Sequence, residues 1–537
     1  MSIQKKSRLQ FWFFNSLPLL LFSVVGLIAM LNHAMWRDEM QAWLIAKDSE
    51  TWHIFLENMA PEGHPMLWHI LLIFIHKVAN NPISMQLFHW SLASLSLFIF
   101  WSKSPFSYLH KLLFTFGYFP FYEYFVFSRN YVLVELFGFL CCSFYTLRRK
   151  SYLPLALCIG LLANCHAFSF LIAISLILAL VIEWFTDKTQ RNFYQARKIW
   201  QWDLILSCFC IIALITVSAL SILQASDSTY LATNADPPTL LKFDIRHMLR
   251  VMGRILGGYT LLIPDSSKWL DLWVCSAISL GLVTATVNFL RNTKTALIFY
   301  LSSTITLAAF NYFVYLGGEK RHYGFYLLIL VFALWLSLIE QKETRNKTRI
   351  AEGKSILDFI KIKPLWYRNL FTVFLVIHLI FGLSYFLLNF SHPLSASKAT
   401  AEYIQDQNLQ DNFIVASRDV NAAAISGYLD TEFYYPELQR KGSFAEWNNR
   451  VEVSQEETFK QVEQLLLSLN QQQKILLLLN YELEDLEWNE IKQSFNVSLE
   501  DSSLELMPIQ KFEDANQAER ARKERFYLYW AQIAIAD

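Results

Sequence analysis

Apolar runs of about 17–25 residues recur from Leu9 to about residue 390, each long enough to cross a hydrocarbon core of about 30 Å as a helix. Within a bilayer a backbone amide finds no water, so such runs must pair internally as helices. Composition agrees: 54% of residues are hydrophobic, 16% aromatic and only 17% charged, which is too apolar for an ordinary soluble domain. The chain is expected to be a polytopic α-helical membrane protein. Its first run, Leu9 to Leu31, is longer than a signal h-region and lacks a small-residue cleavage site, so it reads as a retained helix. A formal net charge of +0 gives no sign of a nucleic-acid partner. All seven cysteines fall in apolar runs, which implies neither a disulfide framework nor a zinc site.

Charge distribution sets the expected sidedness. The segment from Gly63-His64-Pro65 to Val78 is short, is interrupted by His69 and His76, and ends beside Lys77. If it lies in the interface rather than crossing, about eleven crossings remain: 9–31, 84–102, 109–127, 130–147, 152–166, 168–186, 203–224, 269–290, 295–316, 322–340 and 367–390. The inner pieces then carry 21 Lys and Arg, against 11 in the longer outer loops. That bias places the N-terminus in the cytoplasm and the C-terminus outside, in the cell membrane. If 64–78 crossed, the bias would reverse.

In the long outer loop 225–268, Arg246, Arg250 and Arg254 recur at i, i+4 and i+8 among apolar residues. This spacing predicts a surface-lying amphipathic helix with the arginines along one side. Residues 391–537 alternate polar helical stretches (Ala396–Gln407, Glu457–Leu469) with short β-like runs (Phe413–Ala416, Lys474–Leu479). They read as a soluble α/β domain after a membrane domain of residues 1–390. That soluble part carries no nucleotide fingerprint or other catalytic motif.

Under this topology several polar groups share the outer side. Met35-Trp36-Arg37-Asp38-Glu39 follows the first helix, and His64 opens the interfacial segment. Glu123 and Ser128-Arg129-Asn130 flank the end of the third crossing, His166 ends the fifth, and Glu319-Lys320-Arg321-His322 precedes the tenth. Ionisable groups at membrane depth are costly and usually face a cavity or a partner. Carboxylates beside fixed cations suit a reaction that takes a proton from one group and expels an anionic one. Each also has a plainer reading. Asp38 and Glu39 favour the start of the helix Met40–Ala46. Arg129 and Arg321 suit headgroup anchoring, Glu123 can pair with Arg129, and His64 and His166 suit a turn and a helix end.

The order of these motifs resembles the GT-C glycosyltransferases, most closely the family-39-like group, kin of protein O-mannosyltransferases and lipid A aminoarabinose transferases. The resemblance covers roughly residues 11–340. It rests on the Asp-Glu pair after the first helix, Gly63-His64-Pro65, Ser128-Arg129-Asn130-Tyr131, Asn164-Cys165-His166-Ala167-Phe168 and Lys320-Arg321-His322-Tyr323. It implies a sugar donor on a polyprenyl phosphate, transferred outside the cytoplasm to a lipid, glycan or protein acceptor. It also implies that Asp38 matches the family's catalytic acidic residue. Asp38 with Glu39 is thus the expected catalytic pair. Arg37, His64, Glu123, Arg129, His166, Lys320, Arg321 and Arg254 are expected to bind substrate. The short second outer loop lacks the carboxylate of metal-dependent branches, so no cofactor or metal is expected. The competing classes are a transporter or flippase of a lipid-linked glycan, and a membrane scaffold with an exported binding domain. For the transporter, neither inverted repeats nor matched broken helices are visible.

Overall fold

The computed structural model describes residues 2–195, 198–224, 243–315, 319–352, 365–468, 474–484, 486–499, 503–513 and 524–534. The first part of the expected outer loop 225–268 and most of the expected inner segment 341–366 lie outside this set or have undescribed side chains.

Among the described residues, eight helices are long and apolar enough to cross a membrane: Pro82–Lys103, Tyr131–Arg149, Ala167–Thr186, Gln201–Gln224, Trp269–Leu290, Lys294–Phe313, Lys320–Asn346 and Trp366–Ser391. They match eight of the expected crossings. A ninth is reached if Ser16–Asn32, part of the first helix Ser2–Asn32, is joined to Arg37–Lys47, from which it is bent by 85°. The count of about eleven is not reached, because two expected crossings are broken or short. The run 109–127 forms the helix Tyr108–Thr115 and then a π-helical turn, Tyr118–Glu123, since Gly117 and Pro120 interrupt the ladder. The run 152–166 gives only the helix Leu153–Ala163.

The polar ends gather at two opposite places. At one, the fully buried Arg148 donates to Glu183 and Glu343, while Arg149 pairs with Asp187 and Glu343. At the other, Asp38, Arg129 and Arg321 meet. The helix Leu67–Val78 has 12 residues, a length of about 18 Å that is too short to span. Both its flanks lie at the Asp38 end: the His64 ring is 5.0 Å from that of His166, and Asn80 Nδ2 donates to Asp430 at 3.2 Å. This segment does not cross, as the charge bias requires.

The helix Ile245–Thr260 corrects the surface reading. Its residues Gly253–Thr260 are all buried, and Arg254 is only 3% exposed. Small residues permit this. A Cβ on Gly258 would stand 2.4 Å from the Tyr323 carbonyl oxygen, so the helix packs backbone-close against the helix Lys320–Glu352.

Beyond Ser391 the chain forms an eight-stranded sheet in the order β3-β2-β1-β4-β8-β7-β6-β5. Strands β1 (Ile414–Ser417) and β4 (Ile475–Leu479) lie parallel near its centre, and β2 (Phe433–Tyr435) runs parallel to β1. Strands β3 (Arg440–Gly442), β5 (Glu487–Asn489), β6 (Ser494–Ser498), β7 (Ser503–Phe512) and β8 (Phe526–Ile533) pair antiparallel. Every residue of β1 and β4 is buried, because both faces are covered. Ile414 and Ala416 face the core of helices Ser397–Asp406 and Asp419–Leu429, and Val415 faces that of Gln455–Ser468.

Candidate functional site

The site begins where the helix Arg37–Lys47 begins. Trp36 is extended (φ −105°, ψ 176°), and Glu39 reaches back over the first turn. Glu39 is 0% exposed. Its Oε2 accepts from the Trp36 N–H (3.3 Å) and lies 2.8 Å from His33 Nε2; its Oε1 accepts from the Ser128 N–H at 2.6 Å. Glu39 therefore caps its own helix and fastens the 128–130 loop to it.

Asp38 precedes Glu39 by one residue, about 100° round the helix, and its carboxylate is partly open, with 22% side-chain exposure. Oδ2 accepts from Arg129 Nη1 and from Arg321 Nη2, the latter at 3.1 Å, and Arg37 Nε stands 3.5 Å from Oδ1. Each guanidinium is steadied by other contacts. Arg129 lies over the Tyr131 ring (5.6 Å). Arg321 lies over Trp36 (5.2 Å) and pairs with Glu319 (3.0 Å), and its carbonyl accepts from Tyr124 Oη at 2.7 Å. A carboxylate and three guanidiniums from three segments thus form one charged cluster.

A wall of rings adjoins it. His64 Nδ1 lies 2.8 Å from the Glu62 carbonyl. A carbonyl can only accept, so Nδ1 carries the proton and Nε2 is an acceptor. Burial and the nearby Arg129 charge pull the His64 pKa down to about 4, so the ring is neutral at pH 7. His166 caps the helix Ala167–Thr186, its Nδ1 accepting from the Phe168 N–H at 3.0 Å, which leaves Nε2–H as a donor. That Nε2, Tyr131 Oη, His322 Nδ1, Ser128 Oγ and Asn130 Oδ1 are buried and find no hydrogen-bond partner among the described residues. The rings interlock: His166 lies 5.3 Å from Tyr131 and 6.0 Å from His322. Buried polar atoms are normally satisfied, so this concentration beside Asp38 marks a place for a polar ligand.

The structure therefore brings together Arg37, Asp38, Glu39, His64, Arg129, His166 and Arg321. Three other expected residues are held differently. Glu123 lies in the π-helical turn and accepts from Tyr118 Oη at 2.9 Å. Lys320 donates to Tyr385 Oη at 2.8 Å, and the buried Arg254 donates to Asn311 Oδ1 at 3.0 Å. Tyr131 and His322 belong to the quoted motifs, but nothing in the sequence distinguishes a ring that lines the site from one that packs the core. Glu62, half-buried and with its pKa raised mainly by desolvation, accepts from Gln41 and from Trp447 of the sheet domain. Among the described residues, no group of three or more His, Cys, Asp or Glu side chains is placed to hold a metal ion.

No protein-family model matches the chain, and no curated protein matches it. Among solved structures, it is similar to the crystal structure of ArnT from Cupriavidus metallidurans bound to undecaprenyl phosphate. That alignment covers 96% of this chain and 97% of the other, at 10% identity and a TM-score of 0.45.

Proposed function

We propose that the chain is a GT-C-type membrane glycosyltransferase that moves a hexosyl or pentosyl group from a polyprenyl-phosphate donor to an acceptor hydroxyl or amine. The observation that carries this reading is the convergence of Arg129 and Arg321 on Asp38 Oδ2 at the membrane-domain end that faces the sheet domain. The order of the motifs that supply these three residues is the support from sequence. With no substrate bound, Asp38 holds the two guanidiniums in place. The donor phosphate then competes for them, since their planar forks suit phosphate oxygens. Asp38, released from those bonds, takes the acceptor proton. The acceptor atom attacks the anomeric carbon from the face opposite the phosphate, the carbon–oxygen bond to phosphate breaks, and its electron pair leaves on the lipid phosphate beside Arg129 and Arg321. The sugar configuration inverts. Glu39 acts as a positioning residue, since its oxygens are already engaged. His64 Nε2 and His166 Nε2–H supply an acceptor and a donor for substrate hydroxyls. Arginine charge serves where other enzymes use a divalent metal, and EDTA is expected to leave the rate unchanged. The transfer site and sheet domain face outward and the N-terminus lies in the cytoplasm, in keeping with the Lys and Arg bias.

The test uses purified full-length protein and a panel of polyprenyl-phosphate hexoses and pentoses labelled in the sugar, with membrane extract as acceptor. Wild type is expected to label an acceptor from one of them, and Asp38→Asn to lose at least about 100-fold of that rate with an unchanged melting temperature. Transfer from none of the donors by wild type, with label only moved across vesicles, would overturn the enzyme reading in favour of a transporter. An Asp38→Asn variant of near wild-type turnover would overturn the base assignment.

A further inference from the structure

The turn carrying Asp38 has backbone groups that neither flanking helix satisfies, and the sheet domain satisfies them. His33–Trp36 joins two helices bent 85° apart. The Met35 N–H donates to Tyr428 Oη at 2.7 Å, and the Met35 carbonyl accepts from Ser397 Oγ at 2.7 Å. The Arg37 N–H, at the open N-terminus of the Asp38 helix, donates to Glu524 Oε1 at 3.0 Å. These three partners come from three places in the C-terminal domain: the helix Asp419–Leu429, the start of Ser397–Asp406, and the residue bridging to Ser395 just before β8. Glu524 is 0% exposed and is itself fixed, with Oε2 accepting from Ser395 Oγ at 2.6 Å and its carbonyl from the Ala396 N–H at 3.0 Å. Ser397 and Ser395 are also buried. Nearly every buried backbone group must be paired, so this turn keeps its shape only with the domain docked. A carboxylate at a helix N-terminus also suits the helix dipole.

We infer that Tyr428, Ser397 and Glu524 are positioning residues that set the Asp38 carboxylate for transfer, so that the soluble domain forms half of the mould of the active centre. The inference rests on the reading of Asp38 as base. Misplacing a catalytic group by about 1 Å can cost about 100-fold in rate, so removal of one of three anchors is expected to lower kcat by about tenfold.

The experiment compares Tyr428→Phe, Glu524→Ala, Glu524→Gln and Asp38→Asn in the full-length protein, using the donor that wild type accepts and measuring binding of unglycosylated polyprenyl phosphate. Tyr428→Phe and Glu524→Ala are expected to lower kcat about tenfold, with KM for donor and affinity for polyprenyl phosphate within twofold. Glu524→Gln keeps an oxygen for the Arg37 N–H and is expected to restore kcat to within about twofold of wild type. A role confined to folding would instead lower the melting temperature and the active fraction, leaving kcat per folded molecule unchanged. If Glu524→Ala does not fold, Tyr428→Phe, which removes one hydroxyl, decides alone. A folded Tyr428→Phe protein with wild-type kcat beside an inactive Asp38→Asn overturns this inference only; an active Asp38→Asn overturns the base reading beneath it.

Discussion

Asp38 and Glu39 stand side by side in sequence and do different work, and the difference is testable. Glu39 is enclosed, and its two oxygens accept from two backbone N–H groups and contact His33. Replacing it with Gln turns one acceptor into an NH₂ donor that must face another donor. Leaving a buried N–H unpaired costs about 1–3 kcal/mol. Glu39→Gln is therefore expected to lower the melting temperature by several degrees, whereas Asp38→Asn, partly open and lined by guanidiniums that keep their other contacts, is expected to melt like wild type. Equal melting of the two variants in a detergent thermal scan would contradict this division. The acidic pair was legible in the sequence, as were Arg129, Arg321 and the histidines that approach it. Which carboxylate turns inward was not. That depends on the helix starting at Arg37, since a shift of one residue rotates every side chain about 100°. Tyr428, Ser397 and Glu524 were invisible for another reason: their contacts span roughly 360 to 490 residues, and no local pattern encodes such a pairing.

At the scale of elements, hydropathy located the helices that run unbroken and failed where chemistry interrupts an apolar run. Residues 109–127 are apolar throughout most of their length, but Gly117 and Pro120 divide them into a short helix and a π-helical turn. Those two residues were the available signal. The arginine periodicity of 246–254 correctly predicted a helix. The burial of that helix was foreshadowed only by Gly253, Gly257 and Gly258, which let neighbours approach its backbone. The broken segment is braced by the helix Leu365–Ser391 at Gly382. A Cβ there would lie 2.7 Å from the Phe116 carbonyl oxygen and 2.8 Å from Tyr118 N. These are backbone atoms, which cannot swing aside as a side chain would. Gly382→Ala is expected to force the two elements apart, at a cost of about 1–3 kcal/mol. Gly281 provides the control, since an added Cβ meets nothing within 4 Å. Gly281→Ala, in the middle of the helix Trp269–Leu290, is expected to be neutral or stabilising by up to about 1 kcal/mol. Melting temperatures that move equally in the two variants would refute the close contact at Gly382.

At the scale of the whole molecule, the membrane domain and the sheet domain meet through buried ionisable groups, so their union should respond to pH. Burial is the main cause that raises the Glu524 pKa from 4.5 to about 7; the Ser395 hydroxyl, the Arg37 N–H and the Arg37 charge oppose it, while Asp38 adds to it. Tyr428, from the helix packed alongside, also faces this carboxylate. Glu437, within the sheet domain, is likewise raised to about 7 by burial and by Asp419. Between pH 4.5 and 7 the folded protein therefore holds protons that the unfolded chain has lost, and stability falls as pH rises through this window. His64 works in the opposite sense. With its pKa depressed from 6.5 to about 4, the unfolded chain binds the extra proton, and stability is lost as pH falls from 6.5 towards 4. Between pH 4.5 and 6.5 the two raised carboxylates outweigh the one depressed imidazole, so these three groups together place the stability maximum near pH 4.5. Glu524→Gln separates them, because its amide oxygen still accepts from the Arg37 N–H, its NH₂ donates to Ser395 Oγ in place of accepting from it, and the titration is gone. Relative to wild type, the variant should gain as pH rises from 4.5 to 8, by about 3 kcal/mol in full, which corresponds to several degrees of melting temperature. A melting difference that stays flat over that range, or that favours wild type increasingly with pH, would mean that burial does not raise the Glu524 pKa and that the interface holds its ionised carboxylate at no net cost.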